Sequence, residues 1–340
     1  MTTTTIIYAL AAMLFAGLIA FTTTPAVQRF AHIVGAIDVP KDDRRMHDHP
    51  IPRMGGLAIF LGFTLTTLLF CEYNSSMFAM WVGGLIIVIV GILDDIYAIN
   101  PLLKLLGQFV AAIVAIMQGM TIEFVQVFNS NIVFGYLAIP ITLIWILGLT
   151  NAINLIDGLD GLSCGVSTIC SATLLAIMLF KGDYVSALIT AVLVGSCLGF
   201  LPFNSHPAKI FMGDTGSMFL GYTLALLSIQ GMFKLDTAMS FLIPLSIFGL
   251  PLFDTAFAFI RRILRGQSPF KPDKGHIHHR LIQMGLSQKD SVYTLYAICG
   301  ILGVAAFFLA YESYIKALAV IVIGFSILVI NLLLHNKKDN

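Results

Sequence analysis

The sequence has few charged residues. Asp, Glu, Lys and Arg make up 11% of its 340 positions, and hydrophobic residues make up 58%. A soluble domain typically carries about a quarter charged residues, so this composition leaves no room for a large soluble domain. It is typical of an integral membrane protein almost throughout. The net charge of +1 indicates nothing about partners, because the placement of charge in a membrane protein matters more than its sum.

Several common motifs are also lacking. The five cysteines show no C-x-x-C spacing, which argues against a disulfide or zinc framework. No G-x-x-x-x-G-K-[ST] is present, which excludes a P-loop. Met1–Thr5 contains no basic residue before the first apolar run, so we expect that run to be an uncleaved first helix rather than a signal peptide.

What the sequence does contain is a series of apolar runs of bilayer-spanning length, about 20 residues each. They predict an all-α polytopic membrane protein, a single domain over 1–340, with eleven transmembrane helices near 6–28, 55–71, 77–96, 101–120, 137–154, 160–180, 184–203, 211–232, 237–262, 291–311 and 314–335. The β-branched segment near 121–135 predicts a small extracytoplasmic β-hairpin.

The basic residues are sorted between the connections of these helices. With eleven spans, 16 of the 19 Lys and Arg fall on one side, together with all eight His. Positive charge marks the cytoplasmic side, so we predict an outside N-terminus, a cytoplasmic C-terminus, and cytoplasmic active-site loops near 29–54, 94–104, 151–160, 204–214 and 261–290. The first of these loops is either an ordinary positive-inside loop or a basic rim that attracts phosphates.

Two adjacent acids end the third predicted helix. Asp94 and Asp95 are followed by Pro101 and Lys104. Neighbouring carboxylates repel each other, and a helix C-terminus disfavours negative charge. They are therefore poorly explained as caps, and we expect a cation or a raised pKa to accommodate at least one of them.

The stretch N-A-I-N-L-I-D-G-L-D-G-L, residues 151–162, places Asn151, Asn154, Asp157 and Asp160 at successive spacings of three. Such spacing puts side chains on one face of a helical turn. An EF-hand would need an acid at position twelve counted from Asp157, where Thr168 stands, so calcium binding of that kind is excluded.

A fourth segment runs from Asn204 to F-M-G-D-T-G-S, which contains Asp214. Glycines around an acid let backbone amides approach an anion while the carboxylate takes a hard metal. An ordinary glycine-rich turn is the alternative.

The fifth segment is His276-Ile277-His278-His279-Arg280, after a basic run. Its histidines could bind zinc or nickel, but basic flanks without a nearby Cys fit phosphate recognition better. Asp254 lies inside the preceding helix, where it is either functional or paired within the core. Together, the five segments suit phosphoryl chemistry at a membrane surface.

These motifs carry a resemblance. V-G-I-L-D-D with Lys104, the 151–162 stretch, F-M-G-D-T-G-S and H-I-H-H-R, in this order, resemble the polyprenyl-phosphate N-acetylhexosamine-1-phosphate transferases of glycosyltransferase family 4. The H-I-H-H form and Phe253-Asp254-Thr255 resemble the TagO/WecA branch. The related MraY branch usually has three consecutive His and a Lys three residues after the Asp pair, where this chain has Ile277 and Ala98.

The resemblance implies transfer of N-acetylglucosamine-1-phosphate from UDP-GlcNAc to undecaprenyl phosphate on the cytoplasmic face of the bacterial cell membrane. UMP would leave, and the product would begin a teichoic acid, O-antigen or other envelope glycan. The implied partners are these two substrates and membrane lipid, with a homodimer allowed and no nucleic acid.

It also implies residue roles. Mg²⁺, with Mn²⁺ as an alternative, would bind Asp214 and Asn154, while Asp94 and Asp95 would position or deprotonate the lipid phosphate. The implied contacts to nucleotide or sugar are Asp157, Asp160 and Asn204, and those to phosphate charge are Lys104, His278, His279 and Arg280. Asn151, Asp254 and His276 complete the implied substrate-binding set.

Two alternatives remain at this point. One is an MraY-like phospho-muramoyl-pentapeptide transferase. The other, from a different class, is an ion-coupled membrane transporter, which predicts acids near the midplane of several helices. Only Asp254 approaches that position.

Overall fold

The structure is a computed structural model, and it describes residues 3–40, 49–127, 130–231, 237, 240–266 and 275–336. These residues are mostly helical. The helices are α1 (Thr3–Val34), α2 (Gly56–Phe70), α3 (Ser75–Phe78), α4 (Gly84–Tyr97), α5 (Pro101–Met117), α6 (Ala138–Leu155), α7 (Leu162–Lys181), α8 (Tyr184–Asn204), α9 (Gly213–Gly231), α10 (Leu242–Ile247), α11 (Gly249–Leu264), α12 (Ile277–Gln283), α13 (Gln288–Ala310) and α14 (Tyr314–Asn336). A π-helical turn, Ala79–Gly83, joins α3 to α4.

Seven helices in the described part of the chain are long and apolar enough to cross a membrane. Each of the eleven predicted ranges contains helix, but α2 and α5 are shorter, with 15 and 17 residues. The range 237–262 is divided at Phe248 into α10 and α11 within its described residues. The count of eleven spans and the orientation therefore remain predictions.

Two small antiparallel sheets accompany the helices. The predicted hairpin is confirmed as β3 (Phe124–Val127) paired with β4 (Ser130–Val133). The other sheet, β1 (Ile37–Asp38) with β2 (Ile51–Pro52), was not expected from the sequence, because two-residue strands leave no alternating pattern to detect.

Helix α9 lies at the centre of the bundle, where almost every one of its residues is buried. The hydroxyl of Tyr222 donates to Ala79 O at 3.0 Å, at the π-helical turn. In an apolar environment each unpaired backbone carbonyl is costly, so this bond stabilises the irregular turn. Because α9 is packed on all sides, its N-terminal residues, including Asp214, are held in a fixed place.

Candidate active site

The α4–α5 hairpin places a lysine between two acids. Ala98 adopts a left-handed conformation that ends α4, and the Asn100 side chain accepts from Leu102 N at the start of α5. One turn into α5, Lys104 Nζ donates to Asp94 Oδ2 at 3.1 Å and also to Asp214 Oδ2. The lysine thereby offsets the charge of two carboxylates that come from different helices.

Asp95 points away from this cation and into the N-terminus of α9. Its Oδ1 accepts from Asp214 N at 3.0 Å, and its Oδ2 accepts from Thr215 N at 3.1 Å and Thr215 Oγ1 at 2.7 Å. The expectation that the acid pair has no capping role is therefore wrong for Asp95. That expectation considered only the helix that carries the acid, whereas Asp95 caps a helix 120 positions away.

The last turn of α6 contributes two amides. Asn154 Nδ2 donates to Ser217 Oγ at 2.8 Å, which links α6 to α9. Asn151 Nδ2 donates to Gln108 Oε1 at 2.6 Å and to Leu147 O at 2.8 Å. Asn151 is thus engaged between helices, while Asn154 also faces the neighbouring cavity.

A polar cavity of about 210 Å³ opens beside these helix ends. Of the predicted site residues it brings together Asn154, Asp157, Asp160, Asn204 and Asp214. The remaining predicted residues lie outside its lining, and Lys104, Asp94 and Asp95 reach it only through Asp214 and α9.

The loop between α6 and α7 holds two of the acids that line the cavity, Asp157 and Asp160. Burial, together with the nearby carboxylates of Asp214 and Asp95, raises the pKa of Asp157 to about 8. Asp160 is paired instead: its Oδ2 lies 2.8 Å from His206 Nδ1 and accepts from Ala208 N at 3.1 Å. Asp160 therefore ties the 157–161 loop to the segment that follows α8.

Asn204, the last residue of α8, is buried at the cavity wall. Its Nδ2 donates to Ile210 O at 3.1 Å. This bond closes the turn that leads from α8 to α9, so Asn204 shapes the wall from which Asp214 projects.

The histidine segment is anchored by Asp254. The Asp254 carboxylate lies with Oδ2 2.8 Å from His276 Nδ1 and accepts from Ile277 N through Oδ1 at 2.9 Å. Asp254 and His276 are both buried. Because Asp254 accepts from Ile277 N, it caps the first turn of α12. Of the two alternatives for Asp254, a functional acid or an acid paired within the core, the structure contains the second, with His276 as the partner.

His278 packs against the cavity loop. A side chain at Gly158 would meet the His278 imidazole at Nε2, so glycine permits α12 to sit directly over the 157–161 loop. Burial, and the neighbouring His279 and His276, lower the pKa of His278 to about 3. His278 is therefore neutral near pH 7, whereas the exposed Arg280 carries a permanent positive charge in this segment.

Two charged residues of the cavity, both from the predicted 29–54 loop, were not proposed individually as site residues. Arg53 and Asp38 both line it, and they form an ion pair at 3.9 Å. The backbone beside Arg53 is fixed because Phe211 N donates to Pro52 O and Gly55 N donates to Phe211 O, each at 2.9 Å. The P-R-M-G-G stretch, with paired glycines next to an arginine, was the available signal.

The donor atoms at the cavity suit a hard cation. The side chains of Asp214 and Asn154, which carry a carboxylate and an amide, line the cavity, and no group of three or more His, Cys, Asp or Glu in the described ranges forms a metal cage. Mg²⁺ commonly takes one or two protein carboxylates and completes its shell with water and phosphate. The residues present therefore fit Mg²⁺ better than zinc.

The fold and site define a polytopic membrane protein with an acid-rich cavity at the ends of its helices. Residues 77–232 match the model of the family described as glycosyl transferase family 4. A Bacillus subtilis relative named as a probable undecaprenyl-phosphate N-acetylglucosaminyl 1-phosphate transferase is 46% identical over 286 residues, covering 83% of this chain and 80% of the relative.

Two other relatives widen the comparison. The decaprenyl-phosphate N-acetylglucosaminephosphotransferase of Mycobacterium tuberculosis is 36% identical, covering 86% of this chain and 80% of its own. A phospho-N-acetylmuramoyl-pentapeptide-transferase of Halalkalibacterium halodurans is 32% identical, covering 73% and 79%. The chain belongs to glycosyl transferase family 4, among the polyprenyl-phosphate N-acetylhexosamine-1-phosphate transferases.

Proposed function

We propose that this protein transfers N-acetylglucosamine-1-phosphate from UDP-GlcNAc to undecaprenyl phosphate at the cytoplasmic face of the cell membrane. The products are undecaprenyl-diphosphate-GlcNAc and UMP. The Bacillus subtilis relative, at 46% identity, favours this reaction over transfer of phospho-muramoyl-pentapeptide, which is named in the relative at 32%.

The observation that carries the proposal is the convergence of Asp94, Lys104 and Asp214 beside the polar cavity. A transporter would distribute its acids along an ion path through the membrane. In the described spans, Asp94 and Asp95 instead lie at the end of α4, and Asp254 caps α12. This placement supports chemistry at one membrane surface.

In the reaction, an oxygen of the lipid phosphate attacks the phosphorus that bears the sugar. A new phosphorus–oxygen bond forms, the bond from that phosphorus to the bridging oxygen breaks, and UMP leaves with the electron pair. Phosphoryl transfer depends on positioning and on neutralising negative charge. Lys104 supplies positive charge, and Asp94 orients the attacking phosphate or accepts a proton from it.

Asp214 and Asn154 would hold Mg²⁺, with Mn²⁺ as a substitute. When bound, the cation neutralises charge on the diphosphate. Arg53 supports this charge balance, because it is the cation among the described residues that line the cavity. Asp157, Asp160 and Asn204 would contact nucleotide or sugar.

The membrane arrangement supports the same proposal. The acceptor phosphate lies at the bilayer surface, and the donor is a soluble nucleotide sugar. The placement of 16 of the 19 Lys and Arg in connections on one side supports eleven spans with the site facing the cytoplasm. Homodimer formation stays a prediction of the resemblance.

Donor selectivity tests the proposal. The purified chain is supplied with undecaprenyl phosphate, Mg²⁺ and either UDP-GlcNAc or UDP-N-acetylmuramoyl-pentapeptide. We expect lipid-linked product from UDP-GlcNAc, none from the muramoyl donor, and loss of product with EDTA. Product from the muramoyl donor alone, or undiminished transfer in EDTA, would contradict the proposal.

A further inference from the structure

The two neighbouring acids of α4 have different surroundings. Asp94 is bound by the Lys104 ammonium, whereas Asp95 is bound by two backbone amides and one hydroxyl of α9. Asp95 is also only 7% exposed and does not line the cavity. The two adjacent carboxylates therefore have different roles.

We propose that Asp95 is a positioning residue, which fixes the first turn of α9 and thereby holds the Asp214 carboxylate in the site, and which takes no part in proton transfer. The proposal deepens the proposed function, since it assigns Asp95 a task through Asp214. Hydrogen–deuterium exchange tests this role of Asp95 independently of turnover.

Both oxygens of the Asp95 carboxylate are engaged by α9. Oδ1 accepts from Asp214 N, and Oδ2 accepts from Thr215 N and from Thr215 Oγ1. If Asp95 turned towards a substrate, it would leave two backbone amides unpaired in an apolar interior, which is strongly unfavourable. The carboxylate is thus committed to α9.

The start of α9 also fits closely against α4. Gly213 has a φ of +70°, and a side chain there would collide with the Asp95 carboxylate. The absent side chain lets the amides of the next two residues reach Asp95. The backbone at Gly213 thus allows Asp95 of α4 to cap α9.

Asp95 is connected to the reacting groups through Asp214. Asp95 binds the backbone amide of Asp214 itself, and the Asp214 side chain then meets Lys104. A carboxylate at a helix N-terminus is favourable because it satisfies amides with no intrahelical partner. Loss of the cap would loosen Asp214 without removing any group that contacts the cavity.

The test uses both sides of the contact. Thr215→Val removes one hydrogen bond to Asp95 and no ionisable group, Thr215→Ser retains the hydroxyl as the matched control, and Asp95→Asn alters the cap from the other side. We expect Thr215→Val to lower kcat about tenfold and Asp95→Asn about a hundredfold. Thr215→Ser should stay within about threefold of the wild type.

The double variant distinguishes positioning from direct action. If Asp95 acts through the cap, Asp95→Asn combined with Thr215→Val will be within about twofold of Asp95→Asn alone, because both changes break one contact. A wild-type rate for Thr215→Val beside an inactive Asp95→Asn, or fully multiplicative losses, would overturn the proposal. Should Asp95→Asn fail to fold, the Thr215→Val and Thr215→Ser pair decides.

Hydrogen–deuterium exchange supplies a readout without turnover. We expect a peptide spanning 211–217 to exchange faster in Thr215→Val and Asp95→Asn than in the wild type, while a peptide from α8 is unchanged. Unaltered exchange at 211–217 overturns the proposal whether or not the chain transfers sugar phosphate. If the two variants exchange faster than the wild type at 211–217 but the wild-type chain transfers no sugar phosphate, the proposed function is refuted and the cap is established.

Discussion

The Lys104 ammonium group lies 3.1 Å from Asp94 Oδ2 and also binds Asp214. The lysine is therefore the group that lets two carboxylates from different helices share one end of the bundle. The contact joins the α4–α5 hairpin to α9, and the position of each acid depends on it.

We expect Lys104→Met to lower kcat about a hundredfold or more, because it leaves two neighbouring carboxylates without a cation and removes positive charge from the phosphates. Steady-state transfer by purified variants measures this. Lys181→Met is the matched control, since Lys181 lies at the opposite end of α7 from the cavity loop. Comparable rates for Lys104→Met and Lys181→Met would contradict the role given to Lys104.

Arg53 should affect binding more than turnover. We expect Arg53→Ala to raise the KM for UDP-GlcNAc about tenfold with a smaller change in kcat, because a charged hydrogen bond to phosphate is lost at the cavity wall. Arg265→Ala, at the exposed C-terminal end of α11, should leave KM unchanged. An unaltered KM for Arg53→Ala would exclude Arg53 from the donor site.

The Asp254–His276 contact should stabilise α12. Asp254→Asn weakens two hydrogen bonds of a buried carboxylate, and we expect a loss of about 1–3 kcal/mol. Thermal unfolding and exchange of a peptide over 275–284 measure this. Glu72→Gln, at an exposed position between α2 and α3, should change stability by less than about 0.5 kcal/mol, and equal effects of both substitutions would be evidence against the anchor.

Asp157 should make the unliganded protein less stable as pH rises. Its pKa of about 8 in the fold exceeds the ordinary value of 3.8, so the folded chain binds the proton more tightly than the unfolded chain does. The resulting stability is present at low pH and is lost as pH rises from about 4 towards 8. We expect the thermal midpoint to fall more between about pH 5 and 8 in the wild type than in Asp157→Asn; parallel curves would contradict this.

The sequence predicts the helical ranges well because a segment that crosses the bilayer must be apolar, whichever helices it packs against. The break at Phe248 was not predicted, because the apolar run continues from α10 into the first turn of α11; Gly249 and Pro251, which follow the break, were the available signal. Length and composition alone support seven of the eleven predicted spans among the described residues.

The site is predictable in part for a similar reason. Asp94, Asp157 and Asp214 are polar residues in apolar surroundings, and this contrast is visible in one sequence. The contact of Asp95 with Thr215 joins positions 120 apart, and that of Asp254 with His276 depends on how α12 folds back. Such contacts leave no local pattern, so the sequence marks the acids without indicating which of them cap helices.

The bond that breaks in the donor tests the central claim most directly. UDP-GlcNAc labelled with ³²P in the phosphate next to the sugar and with ³H in the sugar is incubated with the purified chain, Mg²⁺ and undecaprenyl phosphate. We expect equal molar amounts of both labels in the lipid product and unlabelled UMP in solution. Tritium alone in the lipid, with ³²P retained in UDP, would show glycosyl transfer without the phosphate and would contradict the account.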